Sequence, residues 1–339
     1  MTETNHGPSR RGLLSGVGAV GFALLGAACG VESDAPGAGG ESSKTCKGAD
    51  ADYLIGMSQA NVAEPYRQKM NDDIKAAAQD LDNVKVVFAD AAQDNSKQVS
   101  DVENFLTQGI DLLIISPNEA APLTDVVKRV YDKGIPVIVL DRKVEGEAYT
   151  TFIGADNKDI GKQAGQFVAK ELLPDGGKLV EIKGLAGSTP AQERSDGFAE
   201  GIADAKGIDI VATGDGDWLR DKGQSQMEAM LQANPTIDVV YSHNDPMAEG
   251  AYLAAKAAGR EKDMKFVGID GLAIPSGGIK AVAAGRLSAT FVYPTCGKEA
   301  VEAAKTLLID CQEVDREITL DTTLITKENA AKKYKELSS

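Results

Sequence analysis

The sequence predicts an α/β protein made of two doubly wound parallel sheets in tandem. Three observations predict it. Short runs rich in Ile, Val and Leu alternate with helical patterns from residue 52 onward. Gly109 and Gly134 stand where helix C-termini want a left-handed residue. The whole alternation then restarts midway along the chain, with no long linker between the two series.

The first series has strands at 53–58, 84–89, 112–116 and 136–140, continuous apolar runs of the kind buried on both faces. Helical patterns fill 65–81, 97–109 and 120–134 between them, which makes right-handed βαβ crossovers the expected connection. The second series begins with a helix at 157–173. Strands follow at 178–183, 208–213, 237–242, 264–269 and 287–292, separated by helices at 191–205, 221–233, 246–258 and 276–284. A helix at 297–309 and a last strand and helix near 322–336 complete the chain. No short repeat of fixed period is present, so a solenoid is excluded.

The 339 residues carry a net charge of −15, and no basic stripe is available to displace phosphate counterions, which excludes a nucleic-acid partner. At the N-terminus, Ser9-Arg10-Arg11-Gly12-Leu13-Leu14 resembles a twin-arginine export signal. The apolar stretch behind it, 17–28, is too short to span a membrane well. It ends in Leu24-Leu25-Gly26-Ala27-Ala28-Cys29, which resembles a lipoprotein box with Cys29 as the lipidated residue; Gly26 departs from the usual Leu. Residues 1–29 are therefore expected to be the signal and 30–49 a flexible tether rich in Gly, Ser and acidic residues. The expected location is outside the cytoplasmic membrane, lipid-anchored on its outer face. Gly16-Val17-Gly18-Ala19-Val20-Gly21 matches the dinucleotide fingerprint in letters, but it follows no strand and opens no βαβ unit. It carries no cofactor.

In an open α/β sheet, ligands bind beyond the carboxyl ends of the strands. Those ends here carry Asp141-Arg142, Asn244-Asp245 and Asp270; helix starts and loops add Tyr66-Arg67, Arg194 and Trp218, the single Trp. The set offers acceptors, donors and aromatic plates.

At these residues the chain resembles the ribose-binding-protein branch of periplasmic sugar-binding proteins, the solute receptors of ABC importers. The resemblance rests on "IPVIVLDR" (135–142), "IGADN" (153–157), "STPAQERSDGFAEGI" (188–202), "WLRDKG" (218–223), "SHNDPMAEGA" (242–251) and "FVGIDG" (266–271), in family order. It implies a type 1 periplasmic binding protein: two lobes joined by three hinge crossings near Phe152, Tyr293 and Asp321, closing on a sugar. Lobe 1 would comprise 50–152 with 294–321, and lobe 2 would comprise 153–293 with 322–339. The family's ligand contacts fall on Tyr66 and Trp218 for stacking, and on Asp141, Arg142, Arg194, Asn244 and Asp270 for hydrogen bonds. Arg67 stands where a second aromatic is common and Tyr293 where Gln is usual. Tyr66-Arg67 is closer to the galactofuranose-binding relatives, so a galactofuranose-like sugar or a related hexose or pentose is the expected ligand. The resemblance further implies a membrane ABC permease as partner and a monomeric chain. A sugar-sensing signalling module of the same fold is the alternative function. Three cleft Arg against two Asp leave an acidic sugar, or an inositol, as the alternative ligand.

His243 precedes Asn244 by one place, so on a strand its side chain faces away from the cleft and is expected to pack. Asp215-Gly216-Asp217 opens like a calcium loop, but Leu219 and Gln226 stand where oxygen ligands belong. Trp218, after Gly-Asp in a loop, is expected to be exposed; Glu64, before Pro65, reads as a helix-entry residue. No phosphate loop, nucleophile elbow or Ser/His/Asp set occurs, and both cleft carboxylates are expected beside donors that keep them ionised. Catalysis, metals and cofactors are accordingly not expected. Cys46 precedes the first strand, and the helix after Cys296 should carry Cys311 back to that same end, ~20 Å away at 1.5 Å per residue. A Cys46–Cys311 bridge with Cys296 free is expected.

Overall fold

A computed structural model describes residues 46–338. The signal, Cys29 and all of the tether before Cys46 lie outside the described residues. From the N-terminus, β1 (Tyr53–Gln59), α1 (Pro65–Ala78), β2 (Val84–Asp90), α2 (Asn95–Gln108), β3 (Leu112–Ser116), α3 (Ala120–Asp132), β4 (Val137–Leu140) and β5 (Thr151–Gly154) form the first series. The second runs α4 (Asn157–Phe167), β6 (Gly177–Lys183), α5 (Thr189–Ile202), β7 (Ile208–Asp215), α6 (Arg220–Ala233), β8 (Val239–Ser242), α7 (Asp245–Ala257), β9 (Lys265–Val267), α8 (Gly278–Ala283) and β10 (Ala289–Val292). The chain closes with α9 (Gly297–Leu308), β11 (Glu317–Thr319), β12 (Thr323–Thr326) and α10 (Ala330–Leu337).

The strands assemble into two six-stranded sheets, ordered β11-β5-β4-β3-β1-β2 and β12-β10-β9-β8-β6-β7. Five strands of each repeat one doubly wound order, so the direction of winding reverses between β1 and β3 and between β6 and β8. Every pairing is parallel except β12 on β10, an antiparallel edge. The chain passes between sheets after Gly154, after Val292, and between Thr319 and Thr323. Phe152, near which a crossing was expected, sits inside β5, which pairs with β4 and β11, two residues before the chain leaves the sheet. Strand alternation sends Tyr53, Ile55 and Met57 to a core cluster that continues into Phe198, Tyr241 and Phe291 of the second lobe. The opposite faces of the two sheets have their own clusters, around Val126, Val139 and Phe105 in one lobe and Met227, Met247 and Phe266 in the other.

Two strands were not expected. β5 is only Thr-Phe-Ile-Gly, and β11 is a polar edge, Glu-Ile-Thr; neither contains an apolar run long enough to stand out. The expected helix at 157–173 is α-helical to Phe167 and then a π-helical turn, Val168–Leu172. Helices α4 and α5 pack almost backbone to backbone through interleaved glycines. A Cβ on Gly197 would lie 1.9 Å from the Lys158 carbonyl oxygen, and one on Gly161 2.3 Å from that of Arg194. Gly197→Ala should therefore cost about 1–3 kcal/mol by overpacking. Urea melts should show the lower midpoint with an unchanged slope.

A disulfide joins Cys46, just before β1, to Cys311, just after α9, with Cα atoms 5.6 Å apart. Cys296 is buried and outside any disulfide among the described residues.

Candidate ligand-binding site

The carboxyl ends of both sheets face one another across a narrow cavity. Lobe 1 lines it with Tyr66 and Arg67 from the first turn of α1, and with Asp141 and Arg142 directly after β4. Lobe 2 adds Arg194 from α5, Trp218 from the turn before α6, Asn244 at the start of α7, Asp270 after β9 and Tyr293 after β10. The structure thus brings all nine residues singled out from the sequence to one cavity. Around it the lobes touch directly: the Ala120 N–H donates to Gly187 O (3.0 Å), the Lys143 N–H to Thr189 Oγ1 (3.0 Å), and Gln93 Nε2 to Asp217 O (3.1 Å).

A charge network forms the lobe 1 wall. Arg67, 2% exposed, donates to Asp141 Oδ2 at 2.6 Å and to Ser116 Oγ at 2.5 Å. Burial works against the Arg67 charge, but Asp141 and Glu64 outweigh it and hold the guanidinium above its ordinary range. Arg142 donates to Asn118 O at 3.0 Å. Burial, aided by the like charge of Arg67, pushes its pKa down to about 10, so it stays protonated at neutral pH.

Glu64 is buried and belongs to this network. Its Oε1 accepts from Asn61 Nδ2 at 2.6 Å and lies 3.7 Å from Arg142 Nη2 and 3.9 Å from Arg67 Nε. Glu64 does stand at helix entry, as the N-cap of α1, but it makes no side-chain cap bond and its residue also lines the cavity. The signal available in the sequence was Arg67, three residues after Glu64 and so within reach of it at a helix start. Ser116 and Asn118, which orient those arginines, had no such signal.

The aromatic groups sit in lobe 2 and at the hinge. Trp218 is 3% exposed, so the expected exposure is also corrected. Two guanidinium groups lie near its ring, with Arg142 Cζ at 5.3 Å and Arg194 Cζ at 5.4 Å from the centroid. Asn244 supports it by donating Nδ2 to Trp218 O (3.0 Å) while its Oδ1 accepts the Met247 N–H as the cap of α7 (3.0 Å). Tyr66 and Tyr293 meet edge to face at 5.8 Å. Their hydroxyls are already engaged, Tyr66 donating to Pro294 O (2.8 Å) and Tyr293 accepting from the Ala155 N–H (3.2 Å). Both therefore offer rings rather than hydroxyls to a ligand.

Asp270 differs from Asp141. Its carboxylate has no hydrogen-bond partner among the described residues, and burial, with Asp245 second, pushes its pKa well above the usual carboxylate range. The expectation that donors keep both cleft carboxylates ionised therefore fails for Asp270, whose partner must come from a ligand or solvent. Asp141 (φ 62°), Trp218 (φ 70°) and Asp270 (φ 124°) all have left-handed backbone, where side chains are disfavoured. Three of the groups that define the cavity are held in strained backbone.

His243 is fully buried behind Asn244 and bonds Glu181 Oε1 through Nε2 at 2.9 Å. Its carbonyl accepts from Arg194, whose Nε also donates to Asn157 Oδ1 at 2.8 Å. Burial lowers the His243 pKa, and the neutral ring packs against Tyr241 and Trp218. Among the described residues no cluster of His, Cys, Asp or Glu could hold a metal ion.

Two α/β lobes closing on a polar, aromatic-lined cavity define a bilobal solute-binding protein. Residues 55–310 match the periplasmic binding protein domain family, and the chain belongs to that family in its ribose-binding-like, type 1 branch. The ribose import binding protein of Bacillus subtilis is 34% identical over 263 residues, covering 77% of this chain and 83% of that one. A fructose binding periplasmic domain of a hybrid two component system superposes with a TM-score of 0.82 at 43% identity, covering 84% and 94% of the two chains. A Mycobacterium smegmatis protein in complex with β-D-fucofuranose gives 0.79 at 32% identity, covering 84% and 96%.

Proposed function

We propose that this chain is the extracytoplasmic substrate-binding protein of an ABC importer and that its cleft takes one neutral monosaccharide, with a furanose ring favoured. The observation that carries the reading is a set of buried donors with no hydrogen-bond partner among the described residues: Arg67 Nε, Arg142 Nε and Trp218 Nε1. They surround the cavity beside an unbonded Asp270 carboxylate, and a polyhydroxylated ring answers both needs, accepting from the first and donating to the second. Its C–H faces suit the Trp218 ring. Glu64 sets a further carboxylate against the three arginines of the lining, which favours a neutral sugar over an acidic one. The furanose preference draws on the fucofuranose complex and on Arg67, which stands between Tyr66 and Asp141.

Calorimetry against D-ribose, D-fructose, D-galactofuranose, D-fucose, L-arabinose, myo-inositol and a uronate tests this. Trp218→Ala and Asp270→Ala should each weaken the preferred sugar by about 1.5–3 kcal/mol, roughly ten- to a hundredfold. Wild type that binds none of the panel, or variants that bind as well as wild type, would sink the assignment.

The likeness to a sensor's fructose binding domain supports a second reading, a sugar-sensing module. Stimulation of a cognate permease ATPase by the liganded protein would separate the two. We further propose that Cys29 carries a lipid anchor. A diacylglyceryl group plus an amide-linked chain suffices for stable attachment, so Cys29→Ala should release the protein into the medium. Equal membrane retention of the variant would count against it.

A further inference from the structure

Asp245 is the half of the Asn244-Asp245 pair that the cavity does not explain. It is 4% exposed. Helix α7 needs no second cap, because Asn244 already accepts the Met247 N–H. Placing another carboxylate in a buried site near Asp270 is unfavourable in itself, since like charges oppose one another's ionisation. The bonds Asp245 makes supply the reason. Its backbone N–H donates to Ile269 O at 2.7 Å, and its Oδ2 accepts the Gly271 N–H at 2.8 Å. These are the two chain neighbours of Asp270. The carboxylate also fills space left by two glycines: a Cβ on Gly268 would lie 2.3 Å from its Oδ1, and one on Gly278 1.8 Å from its Oδ2. From the other side β10 holds Asp270, whose N–H donates to Phe291 O (3.0 Å) and whose carbonyl accepts the Tyr293 N–H (2.9 Å).

We propose that Asp245 is a positioning residue: its side chain pins the 269–271 turn from behind, which keeps Asp270 in its strained backbone with the carboxylate presented to a ligand. Asp245 never reaches the cavity. It acts through Asp270. A side chain with one acceptor oxygen in the same place should therefore suffice to hold the turn, and losing the negative charge removes only a like charge near Asp270.

The experiment compares Asp245→Ala with Asp245→Asn in the purified full chain, in two arms. Hydrogen exchange without ligand reads the turn directly: Asp245→Ala should speed exchange across 268–278, and Asp245→Asn should restore it. Calorimetry with the sugar panel reads the consequence. Asp245→Ala should weaken binding on the order of tenfold or more, the size of a lost hydrogen bond to a charged group, and Asp245→Asn should stay within about threefold of wild type. If Asp245→Ala does not fold, Gly278→Ala replaces it, because the added methyl displaces the same carboxylate. Wild-type exchange and affinity in Asp245→Ala would overturn the proposal, and so would an Asp245→Asn that fares as badly as Asp245→Ala. Only the second arm rests on the sugar-binding reading. A wild type that binds no panel sugar overturns that reading, while the exchange arm still decides the role of Asp245.

Discussion

Replacing Asp141 with alanine should weaken sugar binding by about 3–5 kcal/mol, the cost of leaving a buried charge without its partner. At 1.4 kcal/mol per tenfold, that is roughly two to three and a half orders of magnitude in Kd. Asp141 is the direct partner of Arg67 at 2.6 Å, and both are nearly inaccessible once the lobes meet. Glu64, 3.9 Å from Arg67, is too distant for a full hydrogen bond and cannot replace it. In an open cleft water solvates the guanidinium, so the penalty falls on closure rather than on folding. The variant should therefore melt near wild type without ligand and lose most of the thermal shift that a bound sugar confers. Calorimetry showing affinity within threefold of wild type would remove Asp141 from the binding machinery.

Breaking the disulfide should have the opposite profile. The bridge spans 265 residues, so its loss frees a long loop in the unfolded chain. Native disulfides contribute about 2–5 kcal/mol, and for a chain of this size the melting temperature should fall by roughly 5–15 °C. Both cysteines lie at the amino end of β1, whereas the cavity lies beyond its carboxyl end. Cys46→Ser with Cys311→Ser should thus lower stability while leaving sugar affinity intact. A double variant that melts like wild type would show that folding does not draw on the bridge.

The legibility of this site in the sequence follows the range of the forces involved. Asp141, Asn244 and Asp270 were readable because a parallel strand is a continuous apolar run, so its carboxyl end is visible as the first polar residue after it. Tyr66, Arg194 and Trp218 lie in helix starts and loops, and needed the family resemblance to join the set. Glu64 was seen only as a helix-entry residue, because its position before Pro65 satisfies a local helix rule, and its second place in the charge network comes from Arg142, distant in sequence. Ser116 and Asn118 end or follow a strand like dozens of small polar residues, and only the folded geometry shows them holding Arg67 and Arg142. The surroundings of Asp270 were misread for a related reason. Arg194 is near enough to favour its charge, yet burial and Asp245 prevail, and burial is a property of both lobes together. The short strands β5 and β11 escaped because three or four residues carry too little periodicity.

The left-handed backbone at Asp141, Trp218 and Asp270 has a consequence for how this protein can change over generations. Glycine would relax each of these positions, and each exchange would remove a group that faces the cavity. Selection for heat resistance alone thus pulls these three sites toward residues that cannot recognise a sugar, whereas selection for uptake holds them in place. Proteins screened for melting temperature without a binding step should lose specificity here first, and a thermostable variant that keeps all three has gained its stability elsewhere.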